Sequence, residues 1–407
     1  MTDRRSRLTA SRSISQFLIP LILMSTLFAG CEQFQELLTP PPPDDGESAV
    51  KIGFLYTSPN RNNSRYGAEL ATLQLNESGG VRGSRIQLVP RDIPTQRLIS
   101  EDINDTEFVA ALAEELIFEE GVSAIVGPNR STYAVVVGEI AQRNSIPMMA
   151  TSATNPAVTA AGDFVFMAAF TDDFQGKVMA QFAMQDLEAN TAAVLTHRED
   201  VYSEGLSQTF IDNFTSQGGV IAANEFYTAG TSDFAAQLTV IAEASPDVVF
   251  STGFIPEVPL AVRQAKEEFG ITAIFLGGDS WDNTALIATA GAAVDGSFYS
   301  SGFSAEADPN DLGEDAYQFV AAYSAMFDET PDGGAAGGYD ALRLVVLAMR
   351  RADDLTPTMI RDQIAATENY SGATFISGYD ENRHTSKSVV IKRIVNGAIL
   401  FHKLIEP

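Results

Sequence analysis

From Val50 onward the chain alternates short, continuously apolar runs with longer amphipathic ones, and that alternation leaves few folds open to it. "VKIGFLY", "RIQLVPRD", "SAIVG" and "IPMMAT" have the length and apolarity of strands buried on both faces of a parallel sheet. Between them, "RYGAELATLQLNES", "DTEFVAALAEELIFEEG" and "STYAVVVGEIAQRN" space their apolar residues three and four apart, the period of a helix with one buried face. Such strand–helix alternation builds an open α/β sheet. After "DFVFMAAF" the pattern starts again, from the helix "TDDFQGKVMAQFAMQDL" through the strand "AIFLGGD". The expected fold class is therefore α/β, with two doubly wound units over roughly 50–169 and 170–300. Beyond them come helices at "DLGEDAYQFVAAYSAMF", "AAGGYDALRLVVLAMRRAD" and "TPTMIRDQIAAT", then two strands around a turn at Asn396-Gly397. Two α/β lobes in one chain place a ligand between them, outside the carboxyl ends of the strands.

The amino terminus belongs to another class. Arg4, Arg5, Arg7 and Arg12 precede "FLIPLILMSTLFAG", which is apolar but too short to span a bilayer as a helix. A basic start, an apolar middle and a small-residue end make an export signal over 1–30. Cys31, the only cysteine, follows at once and has no partner for an internal disulfide. The stretch resembles a bacterial lipoprotein signal, in which cleavage leaves the cysteine as a lipidated first residue; Phe28 stands where that pattern usually has leucine. Residues 31–49, with four consecutive prolines and an acidic end, read as an extended tether.

Charge narrows the function. With 53 acidic residues against 26 basic ones, the net charge of -27 leaves no excess of Lys and Arg to neutralise phosphates, which argues against a nucleic-acid partner. Catalytic templates are absent too. The sequence has no P-loop, G-x-S-x-G elbow or H-E-x-x-H, and Cys31 is taken by the anchor, so no metal cluster and no Cys/His pair is expected. His197, at a strand end, is the one candidate base, and a surface or core histidine is the plainer reading of it. No cofactor and no enzymatic activity are expected.

The strings "NESGGVRG", "IVGPNRST", "IPMMATSATNP", "DVYSEGL", "AGTSDFAAQL", "GFIPEVPLAVRQAK" and "FLGGDSWDN" occur in an order and at separations that resemble the branched-chain amino-acid-binding proteins. These are type I periplasmic solute-binding proteins of ABC importers, and the likeness covers residues 50–402. It implies two Rossmann-like lobes joined by three crossings, placed near 169–171, 300–303 and 372–377. Lobe 1 is then 50–169 plus 301–373, and lobe 2 is 170–300 plus 374–407. The resemblance further implies an exported monomer, anchored by lipid at the periplasmic or cell-surface face, that gives a small amino-acid-like ligand to an ABC permease. The same fold serves receptors for amides, urea or aromatic acids, and sensory or regulatory lipoproteins.

The resemblance also implies a ligand clamp. Ser131, which opens a helix, would bind an α-carboxylate; free amides and the helix dipole there favour an anion. Ser152 and Thr154 match a strand-end pair, the first offering a carbonyl to the ammonium and the second a hydroxyl and amide to the carboxylate. Asp279 matches the acidic residue set against the ammonium, a charge-assisted bond. Tyr202 matches a tyrosine that walls the pocket from the second lobe. Phe254 stands where relatives often carry a tyrosine hydroxyl, and "TSPNRNNSRYG" is shorter and more polar than the usual first loop. Trp281, two residues past Asp279, is the candidate to supply the missing aromatic wall. The head-group site is expected to persist and the side-chain pocket to be remodelled.

Overall fold

The structure is a computed structural model and describes residues 49–58, 63–307 and 313–407. The export signal, Cys31 and the proline tether lie outside the described residues. The first lobe opens with β1 (Val50–Ser58), α1 (Ser64–Glu77), β2 (Ile86–Pro94), α2 (Thr95–Ser100), α3 (Asp105–Phe118), β3 (Ala124–Val126), α4 (Ser131–Arg143), β4 (Met148–Ala150) and β5 (Val165–Met167). Its strands run parallel in the order β2-β1-β3-β4-β5.

The second lobe follows with α5 (Asp172–Gln185), β6 (Thr191–His197), α6 (Val201–Ser216), β7 (Val220–Tyr227), α7 (Ala235–Ala244), β8 (Val248–Ser251), α8 (Glu257–Glu267), β9 (Ile274–Gly277), α9 (Thr284–Ala290) and β10 (Phe298–Ser301). The chain then returns to lobe 1 as α10 (Glu314–Phe327), α11 (Gly333–Arg351), α12 (Pro357–Ala365), β11 (Tyr370–Ser371) and β12 (Phe375–Ile376). It ends in lobe 2 as the antiparallel pair β13 (Val389–Val395) and β14 (Ala398–Ile405), completing the order β14-β13-β10-β9-β8-β6-β7. Asn396 and Gly397 both take positive φ, 51° and 73°, as a tight hairpin turn of the primed type requires.

Side-chain alternation along the strands explains the layering. Ile52 and Phe54 point to a core shared with α1 and α11, while Leu55 and Ile125 point to one shared with α3 and α4. In lobe 2, Ala193, Leu195 and Val249 face α7 and α8, whereas Ala192, Val194 and Phe250 face α5 and α6. A sheet covered on both faces needs apolar residues at successive positions, which is the pattern the sequence carries.

The lobes join at three crossings. Ala168 packs in the lobe 1 core and Phe170 in that of lobe 2, and Phe303 returns the chain to lobe 1. The third crossing falls later than 372–377. Ile376 still belongs to the first lobe's core, Tyr379 meets Phe166 edge-on at 5.4 Å, and only after Thr385 bonds Ala169 O at 2.7 Å does Val389 enter lobe 2. A short hairpin, β11–β12, accounts for the extra stay and was too brief to show as a strand pattern.

Helices α1 and α11 meet backbone to backbone. A Cβ at Gly67 would lie 1.9 Å from Ala335 O, and one at Gly338 would lie 2.0 Å from Ser64 O. Overpacking of a tight contact costs about 1–3 kcal/mol. Gly338→Ala is therefore expected to lower the urea midpoint without changing the m-value, a result checked by equilibrium unfolding.

Candidate functional site

In each sheet the chain leaves neighbouring strands in opposite directions at one place, between β1 and β3 in lobe 1 and between β6 and β8 in lobe 2. Crevices open outside the carboxyl ends of the strands at such switch points. Here the two crevices face one another. Thr57, Asn129 to Ser131 and Thr151 to Ser152 line the cavity from lobe 1, and Tyr202, Phe254 and Asp279 line it from lobe 2. Ala169, Phe170, Gly302 and Lys387 line it from the crossings. Its volume is about 140 Å³, suited to a small solute rather than to drug-sized molecules, whose clefts span about 300–1,000 Å³.

On the lobe 1 side, Gly127 makes the geometry possible. With φ of 90° and the place of a Cβ only 2.1 Å from Leu55 O, it turns the chain out of β3 tightly against β1. Ser131 then begins α4, 1% exposed, and its Oγ accepts the Asn155 N–H at 3.3 Å. That bond leaves the hydroxyl proton, together with the free amides of the first turn, to meet an anion. Thr151 Oγ1 and Ser152 Oγ are buried and bond no other group of the protein. Buried hydroxyls left this way are costly unless a ligand serves them. Thr154 is placed differently from the expectation. It is fully buried beneath the cavity rather than on its wall, and its carbonyl accepts the Asp172 N–H at 2.8 Å, so Thr151 takes the wall position beside Ser152.

On the lobe 2 side, Asp200 caps α6 by accepting from Ser203 N and Oγ, each at 2.8 Å, and so fixes Tyr202 in the first turn. The Tyr202 hydroxyl donates to Ser280 Oγ at 3.3 Å, directly over Gly278, where a Cβ would sit 2.2 Å from it. Phe254 packs on Tyr202 with ring centroids 5.6 Å apart. Asp279 is held by its N–H bond to Gln175 Oε1 at 2.9 Å, and its Oδ1 bonds no other group of the protein. It lines the cavity, and desolvation there raises its pKa to about 6. Trp281 does not line the cavity. It is 1% exposed in the lobe 2 core, its ring against Gly277 and its indole N–H on Ser251 O at 3.2 Å. The tight turn from Asp279 to Trp281 sends the two side chains in different directions. His197 is likewise outside the cavity wall, stacked on Tyr227 at 5.2 Å.

Several cavity-lining and cross-cleft residues escaped the sequence reading. Arg130 reaches from lobe 1 to cover Phe254 of lobe 2, its guanidinium 3.7 Å from the ring centroid. Thr132 Oγ1 donates to Asp200 Oδ2 at 2.9 Å, and Asn155 Nδ2 donates to Val201 O at 2.9 Å, both across the cleft. Asp282 Oδ2 accepts from Gly333 N at 2.9 Å, joining lobe 2 to the start of α11. Gln175 was legible in principle, because it places an amide on the buried face of α5. Arg130 and Lys387 carried no such signal.

Two outcomes follow from this geometry. An ammonium in the cavity requires ionised Asp279, whose raised pKa disfavours the charge in the ligand-free protein. The ligand-free fold thus gives up stability as pH rises from about 4 to about 6, and an ammonium ligand restores it. The ligand-induced rise in Tm should therefore grow between about pH 5 and about pH 7, measured by differential scanning calorimetry. Trp281→Ala should lower stability by about 3–5 kcal/mol, as truncating a buried aromatic does, while Asp279→Ala should weaken ligand binding far more than Trp281→Ala, measured by calorimetric titration.

Comparison with known proteins fits this architecture. A family model described as periplasmic binding protein matches residues 49–398. The leucine-, isoleucine-, valine-, threonine- and alanine-binding protein of Pseudomonas aeruginosa is 27% identical over 318 residues, 78% of this chain and 80% of that one. The crystal structure of the leucine-binding protein LivK of Thermotoga maritima superposes with a TM-score of 0.80 at 33% identity, covering 88% of this chain and 99% of that one. LivJ of Streptococcus pneumoniae, solved with isoleucine, gives 0.79 at 27%, over 88% and 100%. With two wound lobes, three crossings and a cleft between their switch points, the chain belongs to the periplasmic binding protein family.

Proposed function

We propose that the protein is an exported, monomeric receptor that closes on an amino acid and delivers it to an ABC importer, held at the membrane by lipid on Cys31. One observation carries the ligand class: the Ser131 hydroxyl with its helix-end amides and the Thr151 and Ser152 hydroxyls line the cavity from lobe 1, and the Asp279 carboxylate lines it from lobe 2. An α-amino acid has the matching pair of charges. Its carboxylate suits the lobe 1 donors and its ammonium suits Asp279. Tyr202 and Phe254 supply the apolar wall around the head group. The relatives named above, whose names specify amino acids, support the same reading.

Closure follows from where these groups sit. A solute that touches only one lobe binds open and closed forms alike and shifts nothing. Here the carboxylate donors belong to one lobe and Asp279 to the other, so both are satisfied together only when the lobes meet. Hinge closure about the three crossings is the motion such a ligand would drive. Binding without turnover is the reading that membership of a periplasmic binding protein family supports.

A thermal-shift screen of the purified protein, stripped of bound ligand by unfolding and refolding, tests the ligand class. Amino acid at about a hundred times Kd should stabilise by about 2.7 kcal/mol and raise Tm by several degrees, an effect lost in Asp279→Ala. A shift with amides, urea or aromatic acids alone would contradict the assignment. For the anchor, Cys31→Ser should move the protein from the membrane fraction to the soluble one, read by immunoblot; retention in the membrane would refute lipid attachment there.

A further inference from the structure

The charges lining the cavity are unequally satisfied. Asp282 spends its oxygens within the protein, accepting from Tyr299 at 3.0 Å, Ser301 at 2.7 Å, Gly333 N at 2.9 Å and Lys392 at 3.0 Å. Asp332 is also committed, to Ala335 N at 2.8 Å and Asn63 Nδ2 at 3.1 Å. The cations differ. Lys387 is 6% exposed, and its ammonium donates only to Ala168 O at 3.3 Å, with no carboxylate at ion-pairing distance among the described residues. The nearest fixed negative charges, Asp340 and Asp279, act on it from farther away. Asp340 is itself occupied by Tyr370, Ala373 N and Thr374.

Lys387 lines the cavity from the crossing side. Positions 3.5 and 3.6 Å from Lys387 Cε and Nζ are where a Cβ on Gly302 would stand, and the Phe170 ring is 3.6 Å from the same point. Lys387 thus lines the cavity beside Gly302 and Phe170. A zwitterionic amino acid bound between Ser131 and Asp279 balances the head-group charges and leaves Lys387 uncompensated. A buried cation without a partner is costly, and a carboxylate at hydrogen-bond distance is its strongest complement.

We infer that Lys387 determines specificity by receiving the distal carboxylate of an acidic amino acid. This rests on the amino-acid reading above and narrows it to the dicarboxylic class.

Calorimetric titration with L-glutamate, L-aspartate, L-glutamine and L-leucine tests it. In the wild-type protein at least one dicarboxylic acid should bind about tenfold or more tighter than glutamine and leucine. Lys387→Met should weaken that acid by at least about thirty-fold, in line with losing one partner of a buried charge pair, while changing glutamine by less than about threefold. Thermal unfolding confirms that the variant is folded; should it not be, the wild-type contest between glutamate and glutamine decides alone. Leucine or glutamine binding as tightly as both acids would overturn the inference and leave the amino-acid reading standing. Equal losses for every amino acid in Lys387→Met would also overturn it, giving Lys387 a purely structural role. Failure of all four to bind, with response only to non-amino-acid solutes, would defeat both readings.

Discussion

A single buried carboxylate, Asp282, fastens the parts on which the cleft depends. It stands just past β9 in lobe 2, pairs with Lys392 on β13, takes the hydroxyls of Tyr299 and Ser301 at the end of β10, and reaches Gly333 N at the start of α11 in lobe 1. Taking two such charges out of water costs several kcal/mol per ion, and only good geometry with further hydrogen bonds offsets it. Asp282 has both. Its bonds fix the second crossing relative to both lobes, and so set where the first turn of α11 presents its glycines to the cavity.

The cleft itself is built from groups that secondary structure leaves over. Strand ends and helix starts carry amides and hydroxyls without ladder partners, and in this fold they collect at the two switch points. Some are satisfied from the opposite lobe, as Thr132 is by Asp200 and Asn155 by Val201 O. Others, the hydroxyls of Thr151 and Ser152 and Oδ1 of Asp279 among them, bond no other group of the protein. Gln175 links this cleft to the buried acids behind it. Its Oε1 accepts from Asp279 N and Ser300, and its Nε2 donates to Asp172 Oδ1 at 3.3 Å. Burial raises the pKa of Asp172 well above the usual carboxylate range, and that of Asp332 to about 7. Among these groups Lys387 lines the cavity with no carboxylate at ion-pairing distance among the described residues.

Much of this was legible in the sequence. The strand and helix alternation specified the wound lobes because both faces of each sheet are covered, and Asn396-Gly397 marked its hairpin because only that turn accepts two positive φ values in a row. Cavity-lining residues were legible where they followed a strand end or opened a helix, as Ser131, Ser152 and Asp279 do. Thr154 and Trp281 were not, since one residue of turn separates a side chain on the wall from one packed beneath it. The third crossing escaped because β11 and β12 are two residues each. Arg130 and Lys387 escaped for a different reason: a long cationic side chain is usually solvated, and only the tertiary fold shows which one is buried at a cleft.

An amino acid that joins the two half-sites should hold the lobes together. Small-angle X-ray scattering of the ligand-stripped protein, before and after saturation with the amino acid that binds, tests this most directly. Ligand should give a smaller radius of gyration and a scattering profile that matches the structure described here. Tight binding with an unchanged profile would contradict it.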